Sequence, residues 1–166
     1  VSVGNTPAGF SSSNGCQVYR YKDKLYVFNG SYVYSASLDS PTVWAQVGTP
    51  PVAITQGAAF IVGTRAYVMG GQLGSTYAPI STVYSADMSD LSTWRTETSL
   101  PTPLGRMTSY QYGDYLYLIG GETTFDSVYS NKVYRAHKDT PTTWTQIGTI
   151  PVALGSIVEP VVYNGR

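Results

Sequence analysis

The sequence predicts an all-β protein made of a repeated four-stranded antiparallel sheet, on three observations. First, landmark residues recur at one interval: Trp44, Trp94 and Trp144 lie fifty positions apart by subtraction of their numbers. Tyr34, Tyr84 and Tyr134 do the same, as do Ala36, Ala86 and Ala136, Pro51, Pro101 and Pro151, and Ile54, Leu104 and Leu154. Several columns sharing one interval across three copies mark an internal repeat. Second, each copy breaks into short apolar or alternating runs separated by turn residues, and no stretch keeps the 3.6-residue period that a helix requires. Third, tyrosine accounts for 15 of 166 residues while charged residues make up only 12%, a composition suited to half-buried pleated surfaces.

The first strand of each copy is an alternating run such as Ala59-Phe60-Ile61-Val62 or Ser109-Tyr110-Gln111-Tyr112. The single cysteine, Cys16, falls in a similar alternation, Cys16-Gln17-Val18-Tyr19, and reads as a small strand residue rather than a nucleophile. A two-residue turn follows, Lys22-Asp23, Gly63-Thr64 or Gly113-Asp114, which is hairpin chemistry because Gly and Asp tolerate the backbone angles required. The second strand, Leu25-Tyr26-Val27-Phe28, Ala66-Tyr67-Val68-Met69 or Leu116-Tyr117-Leu118-Ile119, is nearly all apolar and is expected to be buried on both faces. It ends in Asn29-Gly30, Gly70-Gly71 or Gly120-Gly121. Asn stands in for the first glycine of the first pair because it reaches left-handed angles more readily than most residues. After a loop of variable length, the third strand carries Val33-Tyr34, Val83-Tyr84 or Val133-Tyr134, and the fourth starts near the tryptophan. A four-stranded unit repeated at about fifty residues is one blade of a β-propeller.

A glycine doublet after an apolar strand, then Val-Tyr, then Trp about ten residues later, resembles the kelch repeat. The likeness runs over essentially the whole chain and implies a kelch-type β-propeller segment with three complete four-stranded antiparallel blades. These are residues 9–53, 54–103 and 104–153, flanked by the end of a preceding blade in 1–8 and the start of a further one in 154–166. Three blades do not close a ring, since propellers have 4 to 8. The remaining blades are expected from the same longer chain, or alternatively from a second copy. In such a blade Gly70, Gly71, Gly120 and Gly121 let the chain leave a crowded strand. The Trp and Tyr of each repeat fill the interface between neighbouring blades. Exact recurrence assigns Tyr34, Tyr84, Tyr134, Trp44, Trp94 and Trp144 to packing rather than to ligand stacking.

Ten basic residues balance ten acidic ones, so no electrostatic footprint for nucleic acid is visible. No run approaches the ~18 apolar residues of a membrane span. One cysteine and one histidine, His137, exclude a disulfide framework and a His-rich metal centre, and no cofactor is expected. Asp23 and Asp114 share a hairpin-turn position, and Asp39 and Asp139 share a later turn, both structural uses of Asp. Kelch-like copper radical oxidases need a Cys–Tyr crosslink and two His ligands, which one histidine cannot supply. Kelch-like bacterial sugar epimerases use acids and bases of the propeller face, for which Glu159 and Arg106 are positioned near the starts of first strands. The resemblance further implies that the second-to-third and fourth-to-first connections open on one face. The long connections 71–82 and 121–132 carry Gln72, Tyr77, Phe125, Asp126 and Tyr129, which do not repeat between copies, and Gln56 and Arg106 border the same face. Non-repeating aromatics and amides on loops are what a recognition surface on a rigid scaffold looks like. The expectation is therefore a non-enzymatic binding or structural module recognising a glycan or another protein. Its expected place is extracellular or on a virion surface, as in a phage tail fibre. The alternatives are part of a secreted or periplasmic carbohydrate-active kelch enzyme and an intracellular kelch adaptor.

Overall fold

The structure is a computed structural model that describes residues 17–155; Cys16, Glu159, 1–8 and most of 154–166 lie outside the described residues. The described chain is all-β. The first antiparallel meander comprises β1 (Gln17–Tyr21), β2 (Lys24–Phe28), β3 (Val33–Ser37) and β4 (Ser40–Gly48). The short β5 (Ile54–Thr55) leads into the second meander, with β6 (Ala58–Val62) and β7 (Arg65–Met69). The short β8 (Gln72–Leu73) follows, and β9 (Val83–Asp87) and β10 (Asp90–Glu97) complete that meander. The third contains β11 (Thr108–Tyr112) and β12 (Tyr115–Ile119). A small hairpin of β13 (Glu122–Thr124) and β14 (Val128–Tyr129) intervenes before β15 (Lys132–His137) and β16 (Thr145–Thr149).

Within each meander, neighbours in sequence are neighbours in space. The first two meanders join into one eight-stranded sheet through their outer strands, β4 and β10, at the single parallel pair Leu91–Gly48. The approach there is close enough that a Cβ on Gly48 would stand 2.4 Å from the Leu91 carbonyl oxygen. The predicted hairpin turns are present, each with a positive φ at its first residue: Lys22 (55°), Gly63 (58°) and Gly113 (57°).

Two apolar clusters hold the meanders together, and the middle one supplies both. From one face Ala58, Phe60, Tyr67, Met69 and Val83 meet Leu104, Met107, Leu116, Leu118, Tyr134, Ala136 and Trp144 of the third meander. From the other face Ala59, Ala66, Val68, Ala86, Met88 and Leu91 meet Tyr26, Phe28 and Val33 of the first. Successive strand residues point to opposite faces, so a strand buried on both sides of its sheet is rich in apolar residues on both faces. That is why residues 66–69 of β7 read as a continuous apolar run. In β12 only Leu116 and Leu118 are buried, while Tyr115 is exposed and Tyr117 and Ile119 are half-buried. Burial on both faces thus fails for β12 among the described residues, because they cover only one side of its sheet.

The tryptophans divide likewise. Trp144 is 9% exposed, with its ring centroid 6.3 Å from that of Phe60 in the neighbouring meander. Trp94 is half-buried against the cluster between the first and middle meanders and donates its indole N–H to the Leu91 carbonyl at 2.8 Å. Trp44 is half-buried and belongs to neither cluster.

Two expectations are corrected. Asn29 is not left-handed: the positive φ of its pair belongs to Gly30 (85°) alone. Buried Asn29 instead accepts the N–H of Tyr32 at 2.8 Å on its Oδ1, closing a local turn as Asn side chains do. The long connections are also not simple loops. Thr55 pairs with Gln72 between β5 and β8, and β13 pairs with β14.

Candidate binding site

The connections that enter the second and third sheets and those that follow their second strands are stitched together by the backbone. Gly71 N–H donates to the Leu104 carbonyl at 2.7 Å, and Gly105 and Glu122 exchange N–H···O bonds at 2.8 and 2.7 Å. The Gly105–Glu122 bridge is the fifty-residue equivalent of the Thr55–Gln72 pair. Side chains at equivalent positions therefore meet one repeat apart. Arg106 Nε donates to Gln56 Oε1 at 2.7 Å, and Gln72 Nε2 donates to Glu122 Oε2 at 3.2 Å.

Glu122 is the hub. Its side chain has no solvent exposure, and a buried carboxylate is tolerated only when paired and hydrogen-bonded. Oε2 lies 3.4 Å from Arg106 Nε and accepts from Gln72, while Oε1 accepts the backbone N–H of Asp126. That last bond fixes the tip of connection 121–132. There Phe125 stacks on Tyr77 from connection 71–82, with centroids 5.4 Å apart and planes at 22°. The Arg106 guanidinium carbon lies 5.9 Å from the Phe125 centroid, within cation–π range. Arg106 Nη1 is 3.6 Å from Asp126 Oδ1, and the Tyr129 hydroxyl donates to the same oxygen at 3.5 Å.

The cluster is backbone-strained. Of the five non-glycine residues with positive φ among the described residues, Gln56 (54°), Tyr77 (56°), Arg106 (52°) and Asp126 (53°) all lie here. Left-handed φ costs a residue with a Cβ roughly 1–2 kcal/mol, and such strain gathers where function requires a set geometry.

The structure thus brings Gln56, Gln72, Tyr77, Arg106, Phe125, Asp126 and Tyr129 into one cluster, but on two levels. Tyr77, Phe125, Asp126 and Tyr129 are exposed, Gln56 and Arg106 half-buried, and Gln72 only 1% exposed. Gln72 is therefore a support for Glu122 rather than a surface group. Glu122 itself escaped the sequence reading, although adding fifty to Gln72 lands on it. Elsewhere a cleft of about 490 Å³ opens between β1 and β11, lined by Gln17, Val18, Tyr19, Ser109, Tyr110, Gln111 and Gly113. Among the described residues it brings together no acid, cation or imidazole. Among the described residues no three His, Cys, Asp or Glu side chains gather to hold one metal ion.

The fold has a precedent. A solved protein described as the structure of YjhT superposes with a TM-score of 0.69 over 84% of this chain, at 16% sequence identity. The match covers 53% of that protein, so this chain spans about half its length. No family model matches the chain, and no curated protein matches it. At this identity the likeness concerns the fold alone.

Proposed function

We propose that the three meanders are consecutive blades of a kelch-type propeller whose connection face is a recognition surface for a glycan or another protein, with no catalytic role. The fifty-residue register and the burial of apolar residues between successive sheets support the blade reading. We assign the remaining blades to the same longer chain; a closed, stable dimer of this 166-residue chain in sedimentation would assign them to a second copy instead. The place that suits a low-charge, tyrosine-rich propeller is an extracellular or virion-surface protein.

One observation carries the recognition reading. Two rings that do not recur in the repeat, Tyr77 and Phe125, come from different connections, stack on each other and remain 51% and 43% exposed. Rings that served only to pin their own loops would be expected to bury themselves. Exposed aromatics held on a rigid frame offer contact area at little entropic cost. Tyr77→Ala with Phe125→Ala is expected to abolish partner binding while leaving the melting temperature within a few degrees. Unaltered binding of a glycan or protein ligand by that double variant would remove this face from consideration.

A further inference from the structure

Charge balance on the connection face narrows the ligand. Segments 29–32, 49–57, 70–82, 98–107, 120–131 and 149–155 contain one basic residue, Arg106, and two acidic ones, Glu122 and Asp126. The next charges, Glu97 at the end of β10 and Lys132 at the start of β15, have opposite signs. Arg106 is already committed: its Nε lies against the buried Glu122 carboxylate and the Gln56 amide oxygen, and its side chain is 24% exposed. Asp126 is the opposite case. Its side chain is 70% exposed, and its two polar contacts, from Arg106 and Tyr129, are long and reach the same oxygen, Oδ1. The accessible charge among the rings is therefore negative.

The rings carry the same sign. Aromatic faces are the negative side of the ring quadrupole and attract organic cations, most strongly when a carboxylate stands beside them. Tyr129 reaches Asp126 through its hydroxyl, Phe125 precedes Asp126 in the chain and stacks on Tyr77, and Tyr77 (51%), Phe125 (43%) and Tyr129 (40%) are all exposed. Arg106 beside Phe125 is a cation already held on this platform by the protein itself. The two strained loop tips, Tyr77 and Asp126, are held by Tyr77 N–H donating to the Leu73 carbonyl at 2.7 Å and Asp126 N–H donating to Glu122. Rings and acid are thus presented in place before a ligand arrives.

We infer that this surface takes an organic cation, the ammonium or guanidinium group of a lysine- or arginine-bearing peptide, held by Asp126 and the faces of Tyr77, Phe125 and Tyr129. The inference rests on the recognition reading above and narrows it from glycan or protein to a basic peptide. An anionic ligand would meet Asp126 first and find Arg106 neutralised behind it.

Amide NMR titration of the 166-residue chain with an acetylated, amidated pentalysine tests it, beside pentaglutamate and methyl β-glucoside at the same concentrations. Pentalysine is expected to shift the resonances of Tyr77, Phe125, Asp126 and Tyr129, more weakly as salt is raised. Asp126→Asn should weaken it about tenfold. Asn tolerates the left-handed backbone and keeps the N–H that Glu122 accepts, so the melting temperature should be unchanged. Tyr77→Ala should weaken pentalysine binding as well. Pentaglutamate binding as tightly, or an Asp126→Asn chain that binds pentalysine as well as the parent, overturns the inference. If methyl β-glucoside shifts these resonances and pentalysine does not, the recognition surface stands and its cationic ligand falls. If no probe shifts them, both fall.

Discussion

Trp144 and Glu122 show how much rests on single side chains here, and by opposite physics. Trp144 places a large apolar ring between two sheets, with its indole N–H buried and unpaired among the described residues. Trp144→Ala should lower unfolding free energy by about 3–5 kcal/mol, measured by urea denaturation. Trp94→Ala should cost less, since that ring is half-buried; equal costs would contradict the unequal burial. Glu122 is a buried charge whose value depends on its three donors. Glu122→Ala removes the acceptor for Gln72, Arg106 and the Asp126 N–H at once, and breaking such a buried pair costs about 3–5 kcal/mol. Glu122→Gln, which keeps an acceptor oxygen, should lose less stability. Retained stability in Glu122→Ala would show that the Phe125 tip does not depend on the Glu122 carboxylate. Trp144 stood out in the sequence as one of a recurring column, whereas Glu122 looked like one acid among ten. Its partners become visible only when Gln72 and Arg106 are placed beside it.

The strands show which local signals survive assembly. Hairpin turns at Lys22, Gly63 and Gly113 were legible because two-residue turns between apolar runs leave the backbone few choices. The short strands β5, β8, β13 and β14 were not, since pairs two or three residues long have no period to read. The glycine doublet was legible as an exit from a crowded strand, and Gly71 shows the reason. Its φ is 87°, and a Cβ there would stand 2.3 Å from Ile54 Cγ2 and 2.8 Å from Gly57 Cα. Gly71→Ala should cost about 3 kcal/mol from overpacking and left-handed strain together. A change below about 1 kcal/mol in denaturant unfolding would show that the junction yields easily. Asn29 carries the opposite lesson: its tolerance of left-handed φ suggested one role, and its side-chain oxygen performs another.

Across the whole molecule, the acidic residues set the response to pH. Hydrogen bonds from Ser89 hold the Asp87 carboxyl low, bonds from Ser92 and Thr93 do so for Asp90, and Lys138 does so for Asp114. Burial pushes Glu97 up, but hydrogen bonds from Ser85 and Arg95 outweigh it, so the net direction is down. A carboxyl lowered in the folded state stabilises above its unfolded pKa and loses that contribution as pH falls through its folded value. The melting temperature is therefore expected to hold above about pH 5 and to decline below about pH 4. Lys138, pulled up by Asp114, has the opposite sign and loses its contribution at the alkaline end. A melting temperature unchanged between neutral pH and pH 2 would contradict the acidic arm.

The repeat length and the strand order within each meander could be read from the chain alone, because a sheet that packs against a like sheet reuses the same residue types at the same interval; how deeply each recurring ring is buried could not, since Trp144 lies in a cluster and Trp44 in neither. Which sheet faces are covered depended on assembly: β7 and β12 have nearly the same apolar content, and only the neighbours of their sheets separate them. The arrangement of the candidate surface was likewise invisible in one dimension. Tyr77 and Phe125 are forty-eight residues apart and touch because the backbone bonds between Gly71 and Leu104 and between Gly105 and Glu122 draw consecutive sheets together. A contact made across two sheets leaves no period in either of them.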